Sequence, residues 1–492
     1  MKALKKAMSV LVSLLMIFTF ALPAFADSAT THTITAPATT HQYEIYQIFT
    51  GDLNGEILSN VKWGENGTGT KGEAVASAVI DELTAVNSRP DSEKLDVVKK
   101  YAKLNNPVAT ITNGATYSAV AGYYLIKDKD NTVSGTDTYT TYIVKVVNDV
   151  TISPKSDVPS FEKKVKDTDD TTGVTSDWQD SADYDIGDAV PFMLQGTVAQ
   201  NYDAYKEYYF AFHDVAEKGL TFLPKTVTVY LDNVKIDSGY DVKTDALTDG
   251  CTFEVVFKDL KKINGVHAGS VIRVEYSATL NADAVLGSQG NVNKAKLEFS
   301  NNPNEEQNGS KKPETGETPW DNVIVFTYQV VVNKVDGNKQ PLTGAAFKLE
   351  KVLNDNSKKL VAVVKNTEGT IFTFKGLDDG DYILTETVTP ARYNTIAPIT
   401  FTVTADHKIE WNTGTRTDIL TSLTTGNTAS GNVTFTADLG KGSLTTNVVN
   451  QSGATLPGTG GIGTTIFYVV GGLLMAAAAV LLITKKRMNS DK

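Results

Sequence analysis

Three polar side chains fall where strand phase puts core residues. Val330-Val331-Val332-Asn333-Lys334-Val335-Asp336-Gly337 reads as a strand, and side chains alternate faces along a strand. Val330, Val332 and Lys334 therefore share a face. In Tyr382-Ile383-Leu384-Thr385-Glu386 the shared face holds Tyr382, Leu384 and Glu386, and in Thr446-Asn447-Val448-Val449-Asn450 it holds Val448 and Asn450. If these faces look into a core, a lysine, a glutamate and an asparagine are buried near strand ends. Burial lowers a lysine pKa and raises a carboxyl pKa. A lysine held neutral is a nucleophile. A protonated glutamate beside it can polarise an asparagine carbonyl and shuttle protons. The product of that chemistry is a Lys–Asn isopeptide bond, with ammonia lost. The alternative is a lysine whose stem lies along the strand end while its head snorkels to solvent.

Strands must position such groups, and strand signals dominate the chain. Thr, Val, Tyr, Ile and Phe recur in short alternating runs broken by Gly, Asn and Asp, as in 141–147, 226–230 and 271–276. Helical patterning is confined to Gly72–Val86 and Ser92–Leu104, so the first domain is expected to hold two helices. The expected fold is mainly β, a tandem of immunoglobulin-like β-sandwich domains, the first with some helix. The first domain is placed at 27–158, closed by the hinge Pro154–Pro159, and the second at 160–303. A polar linker follows at 304–319, and the third domain runs from 320 to 451.

Both ends of the chain carry targeting signals. Lys2, Lys5 and Lys6 precede an apolar core from Val10 to Leu22 and the small-residue site Ala24-Phe25-Ala26, so residues 1–26 read as a signal peptide. Near the C-terminus come Leu456-Pro457-Gly458-Thr459-Gly460, an apolar run over 464–484 and a basic tail over 485–492. About 20 apolar residues span a bilayer, and the basic cluster after them stays cytoplasmic. Motif, span and tail resemble the LPxTG sorting signal of Gram-positive surface proteins. In that family a sortase cysteine cleaves between Thr and Gly and holds the Thr as a thioacyl for an amine. Removing both end segments takes a net charge of +6, seven basic residues less Asp491, and shifts the formal charge from −11 to −17, which argues against nucleic acid as a partner.

Further resemblances cover nearly the whole mature chain. Lys334 to Gly337, Pro341 to Phe347 and Gly380 to Thr387 resemble the collagen-adhesin B-type domain of Gram-positive pilins. The resemblance implies that Lys334 bonds Asn450 with help from Glu386. The stretches Asp185–Phe192, Phe212–Phe222 and Asn293–Pro303 resemble the fimbrial isopeptide-forming module. Phase then pairs Lys163 with Phe161 and Val165, Asp214 with Phe210 and Phe212, and Asn301 with Leu297 and Phe299. The expected set is Lys163, Asp214 and Asn301, with Lys164 the rival lysine. Val150 to Lys155 resembles the pilin motif, whose lysine attacks the thioacyl Thr of another subunit; here Ser153 replaces its tyrosine.

These resemblances imply the major structural subunit of a covalent surface pilus on a Gram-positive bacterium, extracellular and cell-wall-anchored. A class C sortase would join Lys155 to Thr459. Other implied partners are a housekeeping sortase, identical subunits head to tail, minor or tip pilins, peptidoglycan and a host ligand. The alternative is a cell-wall-anchored monomeric adhesin. No cofactor or metal is expected, and the acidic run Asp167, Asp169, Asp170 reads as a solvated turn. An enzyme is not expected. The five histidines are scattered, none pairs with the lone Cys251, and His213, phased opposite Asp214, is read as facing solvent.

Overall fold

Alternating apolar and polar residues form strands because one face meets a core and the other water. Val271–Leu280 shows it plainly: its ten side chains alternate between half-buried and buried. A computed structural model describes residues 31–488, apart from 56, 87, 90, 147, 154–156, 248, 306–311, 367, 412–413, 427–432 and 454–461. The signal peptide, Lys155 and Leu456 to Gly460 lie outside the described residues.

The chain folds as three β-rich units. In the first, Thr31–Thr35 pairs antiparallel with Thr116–Val120 and parallel with Val150–Thr151. A second sheet orders Ile57–Trp63, Gln42–Asn54, Gly122–Asp128 and Thr141–Val146. Two helices, Ser77–Ala85 and Asp91–Lys100, cover this sheet, with Leu83, Val97 and Val98 packed on Ile48, Phe49 and Leu125. The helices are shorter than their patterns. Residues 72–75 instead hydrogen-bond to Val61 and Trp63, so their backbone groups extend a sheet edge. The second helix ends at Lys100 because the Tyr101 carbonyl and Lys103 N–H turn toward Thr68 and Asn66.

The second unit packs two sheets over one aromatic-rich core, in which Phe222 stacks on Phe253 with ring centres 3.8 Å apart. One sheet begins at its edge with Phe161–Val165, followed by Ala189–Thr197 and Val271–Leu280. The other includes Phe210–Ala216 and Asn291–Ser300 side by side. This unit extends past the expected boundary. Thr315–Glu317, inside the expected linker, pairs with Glu298–Ser300. Asp321–Phe326 enters the same sheet between Asn291–Ser300 and Ser181–Asp183. The division therefore falls at Thr327. The polar composition of 304–319 hid a short sheet strand.

The third unit opens with Tyr328–Asp336, which pairs parallel with the last strand, Ser443–Asn450. The facing sheet runs Lys358–Lys365, Ala346–Val352, Gly380–Val388, Ile399–His407 and Leu420–Thr425. The second and third units meet closely. A Cβ on Gly287 would stand 2.3 Å from the Gly442 nitrogen, so only glycine permits this approach. Arg416 grips both Glu217 carboxylate oxygens, at 2.8 and 3.1 Å. The terminal helix Ile462–Met488 contains a 21-residue apolar span, Ile466–Lys486, none of it buried against protein. A membrane meets that need.

Candidate functional site

Two buried lysines anchor two polar clusters, one in each of the last two units. In the second unit Lys163 lies mid-strand in Phe161–Val165 with its side chain wholly buried. Its Nζ donates to Asp214 Oδ2 at 2.5 Å and to the Tyr276 hydroxyl at 2.7 Å. Phe192 and Tyr276 place their rings 5.2 Å from the same nitrogen. The Tyr276 hydroxyl donates to Asp214 Oδ2 at 2.6 Å and accepts from Asn293 Nδ2 at 2.9 Å. Lys163, Asp214, Tyr276 and Asn293 thus form one connected set within an apolar core.

Burial governs the charges here. It pushes the Lys163 pKa down and the Asp214 pKa up, against the attraction between the two. Both shifts favour a neutral amine beside a protonated acid. The Oδ1 atoms of Asp214 and Asn293 are buried without hydrogen-bond partners. Each of these oxygens therefore keeps unused hydrogen-bonding capacity inside the core.

Lys164 faces the other way and pairs with Asp180 at 2.7 Å. Asn301 does not join the cluster. Asp214 sits opposite Ala295, whereas Asn301 lies beyond the strand's last residue, Ser300. Six residues of strand span about 20 Å. The Asn301 backbone carbonyl instead contacts the first unit, accepting from the Tyr139 N–H at 2.7 Å. Phase had identified the correct face, and Asn293 shares it, but phase carries no information on depth along the strand. Tyr276 was also missed; its signal was the shared face of Ile272, Val274 and Tyr276.

In the third unit the structure brings Lys334, Glu386 and Asn450 together. Lys334 and Asn450 occupy neighbouring parallel strands, with Lys334 opposite Val448. Glu386 arrives from the facing sheet, and its two oxygens each accept from Asn450 Nδ2 at 3.0 Å. All three side chains are buried. Lys334 Nζ donates to two backbone carbonyls, Val448 at 3.0 Å and Val335 at 3.2 Å. Burial pulls its pKa down to about 8, although Glu386 and Asp336 oppose this. Among the described residues, Asn450 Oδ1 has no hydrogen-bond partner.

His213 is not solvent-facing. It is buried between Asp249 at 2.7 Å and Glu298 at 3.1 Å, because the outer face of Phe210–Ala216 is covered by polar groups. Cys251 Sγ lies 3.7 Å from His213 Nδ1. Burial and the neighbouring Asp249 carboxylate push that thiol pKa up, the wrong direction for a nucleophile.

Three stretches match known families. Residues 186–303 match the Cna-B-like domain of Gram-positive pilin backbone subunit 2. Residues 328–417 match the SpaA prealbumin-like fold domain, and 448–490 match the LPXTG cell wall anchor motif. A relative, the trypsin-resistant surface T6 protein of Streptococcus pyogenes serotype M6, is 28% identical over 305 residues. That alignment covers 58% of this chain and 51% of the relative, so the chain spans about half the length of the curated relative it matches. The solved T6 backbone pilin of serotype M6 S. pyogenes aligns over 88% of this chain and 100% of that one, at 20% identity and a TM-score of 0.54. The full-length major pilin SpaD from Corynebacterium diphtheriae aligns over the same shares at 17% identity, with a TM-score of 0.48.

Proposed function

We propose that this chain, which belongs to the Gram-positive backbone pilins, is polymerised by a pilin sortase and stapled internally by two Lys–Asn isopeptide bonds. It is an extracellular, cell-wall-anchored protein of a family of structural subunits. The observation that carries the internal chemistry is that Lys163 and Lys334 are wholly buried, each in a unit that sets a buried carboxyl and a buried asparagine near it.

In the second unit the bond joins Lys163 to Asn293. Asp214 takes the Lys163 proton, leaving a neutral amine and a protonated acid. Lys163 Nζ attacks the Asn293 carboxamide carbon while Asp214 donates a hydrogen bond to the developing oxyanion. The tetrahedral centre collapses as Nζ gives up a proton that passes through Asp214 to the Asn293 nitrogen, which leaves as ammonia. One C–N bond forms, one breaks, and one ammonia departs. Tyr276 holds amine and amide against the acid. In the third unit Lys334 attacks Asn450, with Glu386 in the role of Asp214.

Between subunits, the sortase would hold Thr459 as a thioacyl and Lys155 of the next subunit would accept it. These residues lie before and after the second and third units in the chain, so joining them builds an open head-to-tail filament unless the rotation closes a ring. A class C sortase, a housekeeping sortase, identical subunits, minor pilins and peptidoglycan are the partners this reading requires. Proteolytic mapping of wall-extracted fibres tests it. The expected product is a branched peptide joining Lys155 to Thr459. Fibres whose only branched peptides start from another lysine would contradict it.

A further inference from the structure

The joint between the second and third units gathers carboxylates in two places, and the two are neutralised differently. Asp170, Asp185, Asp188 and Asp378 surround two lysines. Lys351 Nζ contacts Asp378 and lies 3.5 Å from Asp185, and Lys359 Nζ is 3.2 Å from both Asp185 and Asp188. That cluster supplies its own cations. The second cluster does not. Asp167 and Asp183 come from the second unit, and Asp379 and His407 from the third. Among the described residues, the ion pair recorded for these carboxylates is His407 Nε2 to Asp167 Oδ2, at 3.2 Å.

Asp183 is the informative member. It is 2% exposed, and its Oδ2 has no hydrogen-bond donor. The Tyr328 hydroxyl, itself short of a well-formed partner, stands beside Asp183 and gives it at best a weak hydrogen bond. A buried, unpartnered carboxylate oxygen is costly unless a cation meets it. One donor atom each from Asp167, Asp183 and His407 lie within 4.8 Å of one another. Ligands at about 2.0–2.4 Å from a shared ion have that spacing. An open cleft of about 360 Å³, lined by Asp167, Asp169, Thr172, Val174, Ser176 and Asp379, borders the cluster at Asp167 and Asp379.

The hydrogen bonds around His407 set its tautomer. Ser181 Oγ donates its one proton to the Lys408 carbonyl, which can only accept. Ser181 Oγ must therefore accept from His407 Nδ1, 2.7 Å away. When the ring is neutral, its proton sits on Nδ1 and the Nε2 lone pair faces Asp167. A hydrogen bond behind the ring that fixes the free nitrogen is the usual support of a metal-binding histidine.

We propose that Asp167, Asp183 and His407 Nε2 bind a divalent transition cation that pins the second unit to the third, with Asp379 beside the open coordination positions. Imidazole with carboxylates suits zinc or manganese better than calcium. The competing arrangement is a His407 imidazolium bridging Asp167 with no metal.

The test is calorimetric titration of the full chain, stripped with chelator, with Zn²⁺, Mn²⁺ and Ca²⁺ in separate runs. Zn²⁺ or Mn²⁺ is expected to bind with one equivalent and to raise the melting temperature. D183N and H407Q should each weaken binding tenfold or more while keeping the wild-type circular dichroism spectrum. No binding by any of the three ions overturns the proposal, as does binding that survives both substitutions. Calcium binding indifferent to H407Q also overturns it. Should either variant fail to fold, anomalous diffraction from wild-type crystals soaked in Mn²⁺ decides. A peak between Asp183 and His407 supports the site, and its absence refutes it.

Discussion

Lys163 Nζ and Asn293 Nδ2, carried on opposite sheets of the second unit, donate to the same Tyr276 hydroxyl oxygen at 2.7 and 2.9 Å. One oxygen thus holds the Lys163 amine and the Asn293 amide nitrogen together, and itself donates to Asp214 Oδ2.

Intact-mass analysis should show a deficit of two ammonias relative to the sequence. Asn293→Ala and Asn450→Ala should each restore one. Asn301→Ala should restore none, because Asn301 lies beyond the end of the strand, six residues from the position opposite Asp214. Glu386→Ala should restore the ammonia of the third unit alone. A full deficit in Asn293→Ala would show that another residue is the acceptor.

The bonds should stabilise by restricting the unfolded chain. Each closes a loop of more than 100 residues, and a disulfide closing such a loop contributes about 4–5 kcal/mol, a model-dependent figure. Asn293→Ala keeps the Lys163–Asp214 pair and removes only the bond and a small side chain. Its unit should melt about 10–20 °C lower, and the wild-type melting point should not respond to reductant. Scanning calorimetry with and without dithiothreitol measures both. An unchanged transition in Asn293→Ala would mean that the bond is absent or without effect.

A pH signature separates the bonded from the unbonded third unit. In Asn450→Ala, Lys334 stays a free amine with a pKa of about 8, against about 10.4 unfolded. Between those values the unfolded state binds more protons, so stability rises with pH, by up to about 3 kcal/mol. Below pH 8 the lysine is charged in both states and the gain is absent. The wild type carries an amide there and should show no such gain. Urea titrations at pH 7.5 and pH 10 measure the difference. Parallel pH responses in the two proteins would contradict a bond at Lys334.

Several parts of the site were readable because one physical rule decided them. Period-two alternation placed Lys334, Glu386, Asn450, Lys163 and Asp214 on inward faces, and all five are buried. The same rule could not choose between Asn293 and Asn301, since both obey it and only the register against Phe210–Ala216 separates them. The strand Asp321–Phe326 also escaped. Its pattern fits the second and third units equally, and the pairing with Asn291–Ser300 decides. The Asp167 turn looked solvated because its neighbours Asp183, Asp379 and His407 are remote in sequence. Tertiary approach alone brings a buried carboxylate and an imidazole to it.

Polymerisation is the central claim, and one blot tests it most directly. Boiled, detergent-treated cell-wall extract is compared between the wild-type strain and a Lys155→Ala strain. The wild type should give a ladder of high-mass species. The variant should give the monomer alone, folded and still processed at Thr459. A ladder that persists in Lys155→Ala, or a single band in the wild type, would contradict the account.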